Sequence, residues 1–567
     1  MGRFVIAFRR RRPLASVLII CALAWLPGFF TLPPLDRDES RFAQATKQML
    51  ESRDFIDIKL GQDARYAKPV GIYWLQAAST SVFGNHDWSQ IWTYRVPSFL
   101  GALAAVAATF WMVRAFAAAD TAFFAALILG LSVLLMSEAK IAKTDAVLLA
   151  TVTIAQAVLL RVYAAASPSR VGGNGGSVPA TGNQTQPVPL LLAGWAALGF
   201  GVLIKGPVIA IVCAATMAAL VIADRNWRWL KNLHARYGIP LSLAIVLPWA
   251  IAIGLASHGA FYEKSLGQDF ALKLVGEQET HGAPPGYYAL LANVTFWPGT
   301  LLLFPALILA WRRRTEPAIR FLLAWAGATW LLFEFVPTKL PHYVLPAYPA
   351  LAAICALEMK SWTGDGKPAL KIARWVSLIL FVAAGIAFAF FLAMAPVQLG
   401  SGASWPLYVA FFVASLAVLS VIPAALARRP EAAIARAAVA AILLYAVAGF
   451  VTAPRLNALW LSPRMAAAVA HYAQASDPAV ITAGYSEPSI QFLLGTRTLL
   501  DNGADAARVS AQAGGLVLVS DDQRDAFLSG LAAAGATAQP LDEIDGLNYS
   551  RGRRTRITLY RVTARAG

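Results

Sequence analysis

The feature that most constrains this chain is a succession of apolar runs, most of them about 17 to 25 residues long and closed by a polar loop. A run of that length crosses the hydrocarbon core of a bilayer as a helix, because a helix satisfies its own backbone hydrogen bonds where water is absent. Such runs fall near 14–32, 92–113, 120–137, 142–163, 189–204, 207–223, 237–257, 297–311, 317–336, 342–357, 372–395, 405–427 and 432–453. The expected fold class is a polytopic α-helical membrane protein with about thirteen transmembrane helices. With 58% of its 567 residues hydrophobic and 14% charged, a water-soluble globule would leave large apolar patches in water.

The basic residues set the orientation. "DRNWRWLKNLHAR", "WRRRTEPAIR", "EMKSWTGDGKPALKIAR" and "RRPEAAIAR" fall in alternate loops, which places those loops inside. The short outer connections hold only Lys140, Lys143, Lys205 and Lys339, and "PVQLGSGASWP" is uncharged. The net charge of +17 is therefore read as topology signals facing anionic lipid, not as a nucleic-acid footprint. "MGRFVIAFRRRRP" reads as the inner flank of an uncleaved anchor. Cys21, Cys213 and Cys355 lie inside apolar runs and offer no disulfide framework.

The domain reading follows. Residues 1–453 form a transmembrane catalytic domain with two long outer loops, 33–91 and 258–296, and residues 454–567 form a small periplasmic α/β domain. In that tail "PAVITAG", "GGLVLVS" and "RRTRITLYRVT" look like strands, and "SDDQRDAFLSGLAAAG" looks like a capped amphipathic helix. "SPSRVGGNGGSVPATGNQTQPVP" reads as a flexible inner-loop linker.

The non-basic polar chemistry gathers on the outer face. "DRDESRFAQATKQMLESRDF" has helical spacing with Phe42, Ala45, Met49 and Leu50 on one side, as expected of an amphipathic helix lying on the membrane interface; Asp38 and Arg41 share a face of it. "RYAKPVGIYWLQA" brings Lys68 to the start of the next apolar stretch, "SEAKIAKTDAVLL" puts Lys143 and Asp145 at a helix mouth, and "LIKGPVIAI" sets Lys205 in a two-residue gap. "GEQETHGAPPGYYALL" adds His281, Tyr287 and Tyr288, and "FVPTKLPHYVLPAYPALA" adds Lys339, His342 and Tyr343. Each has an ordinary reading as a surface ion pair, a snorkelling lysine or an interfacial tyrosine. Together, four lysines, two carboxylates and a histidine so near hydrocarbon point to a ligand, since isolated charges there are costly. Cations outnumber anions, so the ligand is anionic, and a lipid-attached phosphate fits best.

At these residues the sequence resembles the lipid-linked glycosyltransferases of the GT-C class, within them the ArnT-like branch of the protein mannosyltransferase-related family. The resemblance rests on "DRDESRFA", "AKPVGIYWLQ", "KTDAVLL", "LIKGP", "HGAPPGYY" and "KLPHYVLPAYP" and runs along the whole chain. It implies a multi-pass protein of the bacterial inner membrane with its active site facing the periplasm. The implied reaction moves 4-amino-4-deoxy-L-arabinose from an undecaprenyl-phosphate sugar donor to a phosphate of a lipid A acceptor, which gives polymyxin resistance. Asp38, Glu39 and Asp145 are then the candidate catalytic carboxylates. Arg41, Lys68, Lys205, Lys339 and Tyr343 are candidate donor or phosphate-binding residues. A divalent metal is the one cofactor the resemblance allows, with His281 as candidate ligand. Many relatives carry Glu before the Lys-Pro of the second motif, where this chain has Ala67, so a metal site built on that Glu lacks a ligand here.

Two rival readings stand beside this one. A related polyprenyl-phosphate-sugar transferase could glycosylate protein or another envelope glycan. A lipid transporter or flippase is disfavoured, because such proteins place binding groups at the midplane of repeated halves, and here the ionisable residues sit at the outer ends with no repeat.

Overall fold

The computed structural model describes residues 11–167, 186–265, 267, 283–359 and 367–564. The linker expected at 167–189 lies almost wholly outside these, as does His281. Among the described residues, eight helices are long and apolar enough to cross a membrane, and four shorter apolar helices accompany them. The expected run at 142–163 is the helix Asp145–Ala166, buried along most of its length at the centre of the bundle. The run at 342–357 differs from expectation. It divides into a 3-10 segment, Pro341–Ala347, and an 11-residue helix, Tyr348–Glu358, because prolines at 341, 346 and 349 withhold the amide donors that a continuous α-helix requires.

The loop at 33–91 has a structure of its own. The helix Asp38–Ser52 opens on Asp38 and Glu39, whose charges suit a helix N-terminus, and closes at Arg53 in the left-handed region with φ 58°. A two-residue antiparallel pair, β1 (Lys59–Leu60) with β2 (Asp63–Ala64), turns at Gly61, where φ is 65° and glycine carries no penalty. A further helix, Gly71–Phe83, returns the chain to the bundle.

Residues 481–563 hold a five-stranded sheet: β3 (Ile481–Ala483), β4 (Leu499–Asp501), β5 (Gly515–Ser520), β6 (Thr537–Asn548) and β7 (Arg553–Thr563). The order is β4-β3-β5-β7-β6, with β3 parallel to both neighbours and β5, β7 and β6 antiparallel. All six residues of β5 are buried, which explains its unbroken "LVLV" run. β6 escapes sequence reading because it is a polar edge strand: it carries Pro540 and slips register beside it, as prolines do only at edges and bulges.

The tail changes the reading of the amphipathic helix. Phe42, Ala45, Met49 and Leu50 are buried as expected, but Ala43, Gln44, Thr46 and Lys47 are buried too. The second face does not lie free on an interface, because the tail helix Pro488–Leu494 packs on it. Lys47 donates to the Phe492 carbonyl at 3.2 Å, Gln44 bonds Thr496 at 2.8 Å, and Phe492 meets Tyr94 edge-on at 5.4 Å.

Asp36 sits at this junction. Its amide donates to the Tyr549 hydroxyl, its carboxylate accepts from Ser489 and Tyr485, and the neighbouring Arg37 donates to the Ser550 carbonyl. Burial pushes the Asp36 carboxyl up to about 7, the Ser489 hydroxyl opposes that, nearby Glu487 adds to it and Tyr485 opposes it again. The docked tail thus holds a proton more tightly than the undocked one. Docking is fully supported below pH about 4 and weakens as pH rises towards 7. Thermal melting of the detergent-solubilised protein should therefore lose part of its stability across that window. Asp36→Asn should remove that part of the slope, and an unchanged slope would assign it to other groups.

Candidate functional site

A cavity of about 970 Å³ opens where the first outer loop meets the ends of the bundle helices. Asp38, Arg41, Lys68, Asp145, Lys205 and Tyr343 line it, and so do Arg65, Lys143 and His342. Phe42, Leu148, Val202, Trp249, Phe261 and Phe333 supply apolar wall between them.

Helix ends deliver the central ion cluster. Asp145 is the first residue of Asp145–Ala166 and Lys205 the last of Val188–Lys205, so each charge complements the dipole of its own helix. Gly206 ends the lysine helix with φ 65°, a conformation that favours glycine. Lys205 Nζ lies 2.5 Å from Asp145 Oδ1, and Lys143 Nζ lies 3.5 Å from Oδ2 and 3.1 Å from Glu138 Oε1. His342 Nε2 stands 3.9 Å from Asp145 Oδ1, and Lys205 lies 5.7 Å over the Tyr343 ring. Asp145 is thus held by two ammonium groups, which keeps a carboxylate stable in a largely apolar surround.

Asp38 and Arg41 line the cavity from the 33–91 loop. Both are exposed to the cavity at the start of Asp38–Ser52, one helical turn apart. Neither side chain has a hydrogen-bond or ion partner among the described residues, so both are open to a ligand. Lys68 donates to the Ala67 carbonyl at 2.8 Å, which keeps its ammonium at the cavity wall.

Two expected site residues do not line the cavity. Glu39 is fully enclosed and accepts a bidentate pair from Arg95, Nε to Oε1 at 2.8 Å and Nη2 to Oε2 at 2.8 Å. It also accepts from the Ala142 and Leu35 amides, each at 2.9 Å. Arg95 spends its remaining donors on the carbonyls of Phe29, Leu32 and Pro33. Glu39 therefore ties the helix of Asp38 to the loop that precedes Asp145 and lies outside the cavity lining, a placement that suits a positioning role. Lys339 turns towards the carbonyls of Glu334 and Val336, with the Glu334 carboxylate 3.7 Å away, because the chain has already left its helix at Phe335. Sequence reading passed over Arg95, although a lone arginine in the run "IWTYRVPSFL" is a signal in itself. It also passed over Glu138 and Arg65.

Glu138, Asp145 and His342 bring ligand atoms within 4.8 Å of one another, close enough to hold an ion. Their charge environment does not suit one: Lys143 and Lys205 already face the carboxylate oxygens, and two ammonium groups repel a dication at this range. Ala67, in the second motif, offers no ligand atom, and His281 lies outside the described residues. Among the described residues, this ammonium-lined cluster does not suit a divalent metal.

Comparison with known proteins places this geometry. A sequence profile of the dolichyl-phosphate-mannose-protein mannosyltransferase family matches residues 30–258. An undecaprenyl phosphate-alpha-4-amino-4-deoxy-L-arabinose arabinosyl transferase from Edwardsiella ictaluri is 27% identical over 371 residues, 65% of this chain and 62% of its own length. A protein of the same name from Enterobacter is 27% identical over 429 residues, covering 75% and 68%. The match thus spans a little under two thirds of the length of the first of these relatives. Among solved structures, ArnT from Cupriavidus metallidurans bound to undecaprenyl phosphate superposes with a TM-score of 0.72 at 19% identity, covering 98% of both chains. The archaeal oligosaccharyltransferase AglB from Archaeoglobus fulgidus reaches 0.51 at 12% identity over 90% of this chain. The chain shares their fold and is similar in sequence to the arabinosyl transferases.

Proposed function

We propose that this ArnT-like chain is a membrane glycosyltransferase that moves 4-amino-4-deoxy-L-arabinose from undecaprenyl phosphate to a phosphate of lipid A at the periplasmic face of the bacterial inner membrane. The observation that carries the reading is the cavity itself, where five cationic side chains and two carboxylates converge at the ends of membrane helices. The likeness to transferases whose names carry that sugar and carrier supports it.

In the transfer, the bond between the sugar's anomeric carbon and the donor phosphate oxygen breaks, and an acceptor phosphate oxygen bonds to the same carbon. Undecaprenyl phosphate leaves with the electron pair. A phosphate leaving group is a weak base, so fixed cations where negative charge develops suffice without a strong general acid. Lys68 and Lys205 serve that role. Asp38, open to the cavity, faces the positive charge that grows on the sugar carbon and orients the acceptor. Asp145 holds Lys205 and Lys143 in place.

Mass spectrometry of lipid A from cells with and without the gene tests the reading. A pentosamine-sized addition that depends on the gene is the expected result. Unchanged lipid A would move the assignment to a transferase acting on protein or another glycan.

Orientation is testable separately. The basic loops place residues 33–91 and 454–567 outside, so a cysteine introduced near Gly503 should react with a membrane-impermeant maleimide in intact spheroplasts. One near Arg313 should stay unlabelled until the membrane is opened. The reverse pattern would invert the topology.

A further inference from the structure

The proposed reaction brings two phosphates into one cavity, and resting on that reading we infer that Arg65 binds the second of them, the phosphomonoester of the acceptor lipid. Arg65 follows β2 directly, and its amide donates to the Ile58 carbonyl at 2.7 Å, so the hairpin fixes its backbone. Its guanidinium lies 5.1 Å over the Phe42 ring, and its Nε donates to the Tyr73 hydroxyl at 3.1 Å. One face and one nitrogen are therefore held. The two terminal nitrogens have no hydrogen-bond or ion-pair partner among the described residues, while the side chain lines the cavity. A guanidinium oriented in advance, with its outer nitrogens open, is the donor geometry that a phosphate accepts as a fork.

The chain segment that carries it and a charge unpaired among the described residues distinguish this group from the lysines at the helix ends. Lys205 lies over Tyr343 and against Asp145, at the wall formed by the bundle helices. Arg65 comes from the 33–91 loop, where the Tyr73 hydroxyl it bonds lies within electrostatic reach of Asp38. The charges of Lys143 and Lys205 are already offset by Glu138 and Asp145. A phosphodiester donor carries one negative charge and a phosphomonoester acceptor carries up to two, so the second anion draws on cations near Asp38, and Arg65 adds to Arg41 a guanidinium already held by Phe42 and Tyr73. Arg65 thereby places the acceptor's phosphate next to the carboxylate proposed to orient it.

Steady-state kinetics of the purified full-length protein test the inference, with undecaprenyl-phosphate aminoarabinose as donor and lipid A as acceptor. Arg65→Ala should raise the acceptor KM by about tenfold or more, the scale of one lost charge-assisted contact. The donor KM should stay within about twofold, since the donor's phosphate is held elsewhere. Arg65→Lys keeps charge and stem and should recover part of the loss, so it serves if the alanine variant folds poorly. Tyr73→Phe releases Nε and should raise the acceptor KM by a smaller factor. Acceptor KM unchanged in Arg65→Ala, or donor and acceptor KM rising together, would overturn the inference while the proposed function stands. Wild-type protein that transfers nothing to phosphorylated lipid A would sink both.

Discussion

Asp38→Asn is expected to lower turnover by about two orders of magnitude or more, the scale of a lost electrostatic or acid-base group at a reacting centre. Folding should be unaffected. The Asp38 side chain is exposed to the cavity and makes no hydrogen bond among the described residues, so replacing its charge with an amide of equal size leaves no buried group unpaired. Asp57→Asn is the control from the same loop. Asp57 accepts from the Tyr66 hydroxyl at 3.0 Å and faces Lys59 at 3.6 Å, well outside the cavity lining, and its amide replacement retains an acceptor. That variant should turn over at the wild-type rate. Measuring kcat and melting temperature for both separates chemistry from stability. A fully active, folded Asp38→Asn protein would return this carboxylate to a solvated surface charge.

Its neighbour behaves in the opposite way. Glu39→Gln is expected to destabilise the protein by about 3–5 kcal/mol, the usual result of removing one partner of a buried ion pair. The side chains of Glu39 and Arg95 are both wholly inaccessible, so the Arg95 charge would remain in the interior without its counter-ion. Since whole domains are stable by only about 5–15 kcal/mol, membrane levels of the variant should fall sharply. Replacing both residues by apolar ones should not restore stability, because the carbonyls of Phe29, Leu32 and Pro33 would lose their donor as well. Thermal melting and membrane abundance give the comparison. A Glu39→Gln protein that melts normally but is inactive would restore the catalytic reading of Glu39.

These adjacent carboxylates also mark where sequence reading stops. Nothing in "DRDESRFA" distinguishes Asp38 from Glu39, since both open the same helix and both are acidic. The difference is rotational: successive helical residues are about 100° apart, and which of them meets the cavity depends on how the helix is seated. Arg95 decides that seating from the next bundle helix, 56 residues away, with a contact that no local pattern encodes. For a similar reason Lys339 has a direction that the sequence leaves undetermined. Its place in a Pro-broken helix mouth was legible, but its direction follows from the nearby carbonyls of Glu334 and Val336.

The membrane character, the positions of most long helices, the strands β3, β5 and β7 and the grouping of Asp38, Arg41, Lys68, Asp145 and Lys205 were all legible in the sequence alone. Each rests on a one-dimensional signal: an apolar run as long as the bilayer is thick, an alternating or continuous apolar strand, or a charge where hydrocarbon penalises it. Only the tertiary structure decided that Asp145 binds Lys205 across 60 residues, that Arg65 joins the cavity over Phe42, and that Pro488–Leu494 covers the outer helix. Those contacts join segments remote in the chain, and their energies depend on distance and burial in space, quantities that residue order does not carry.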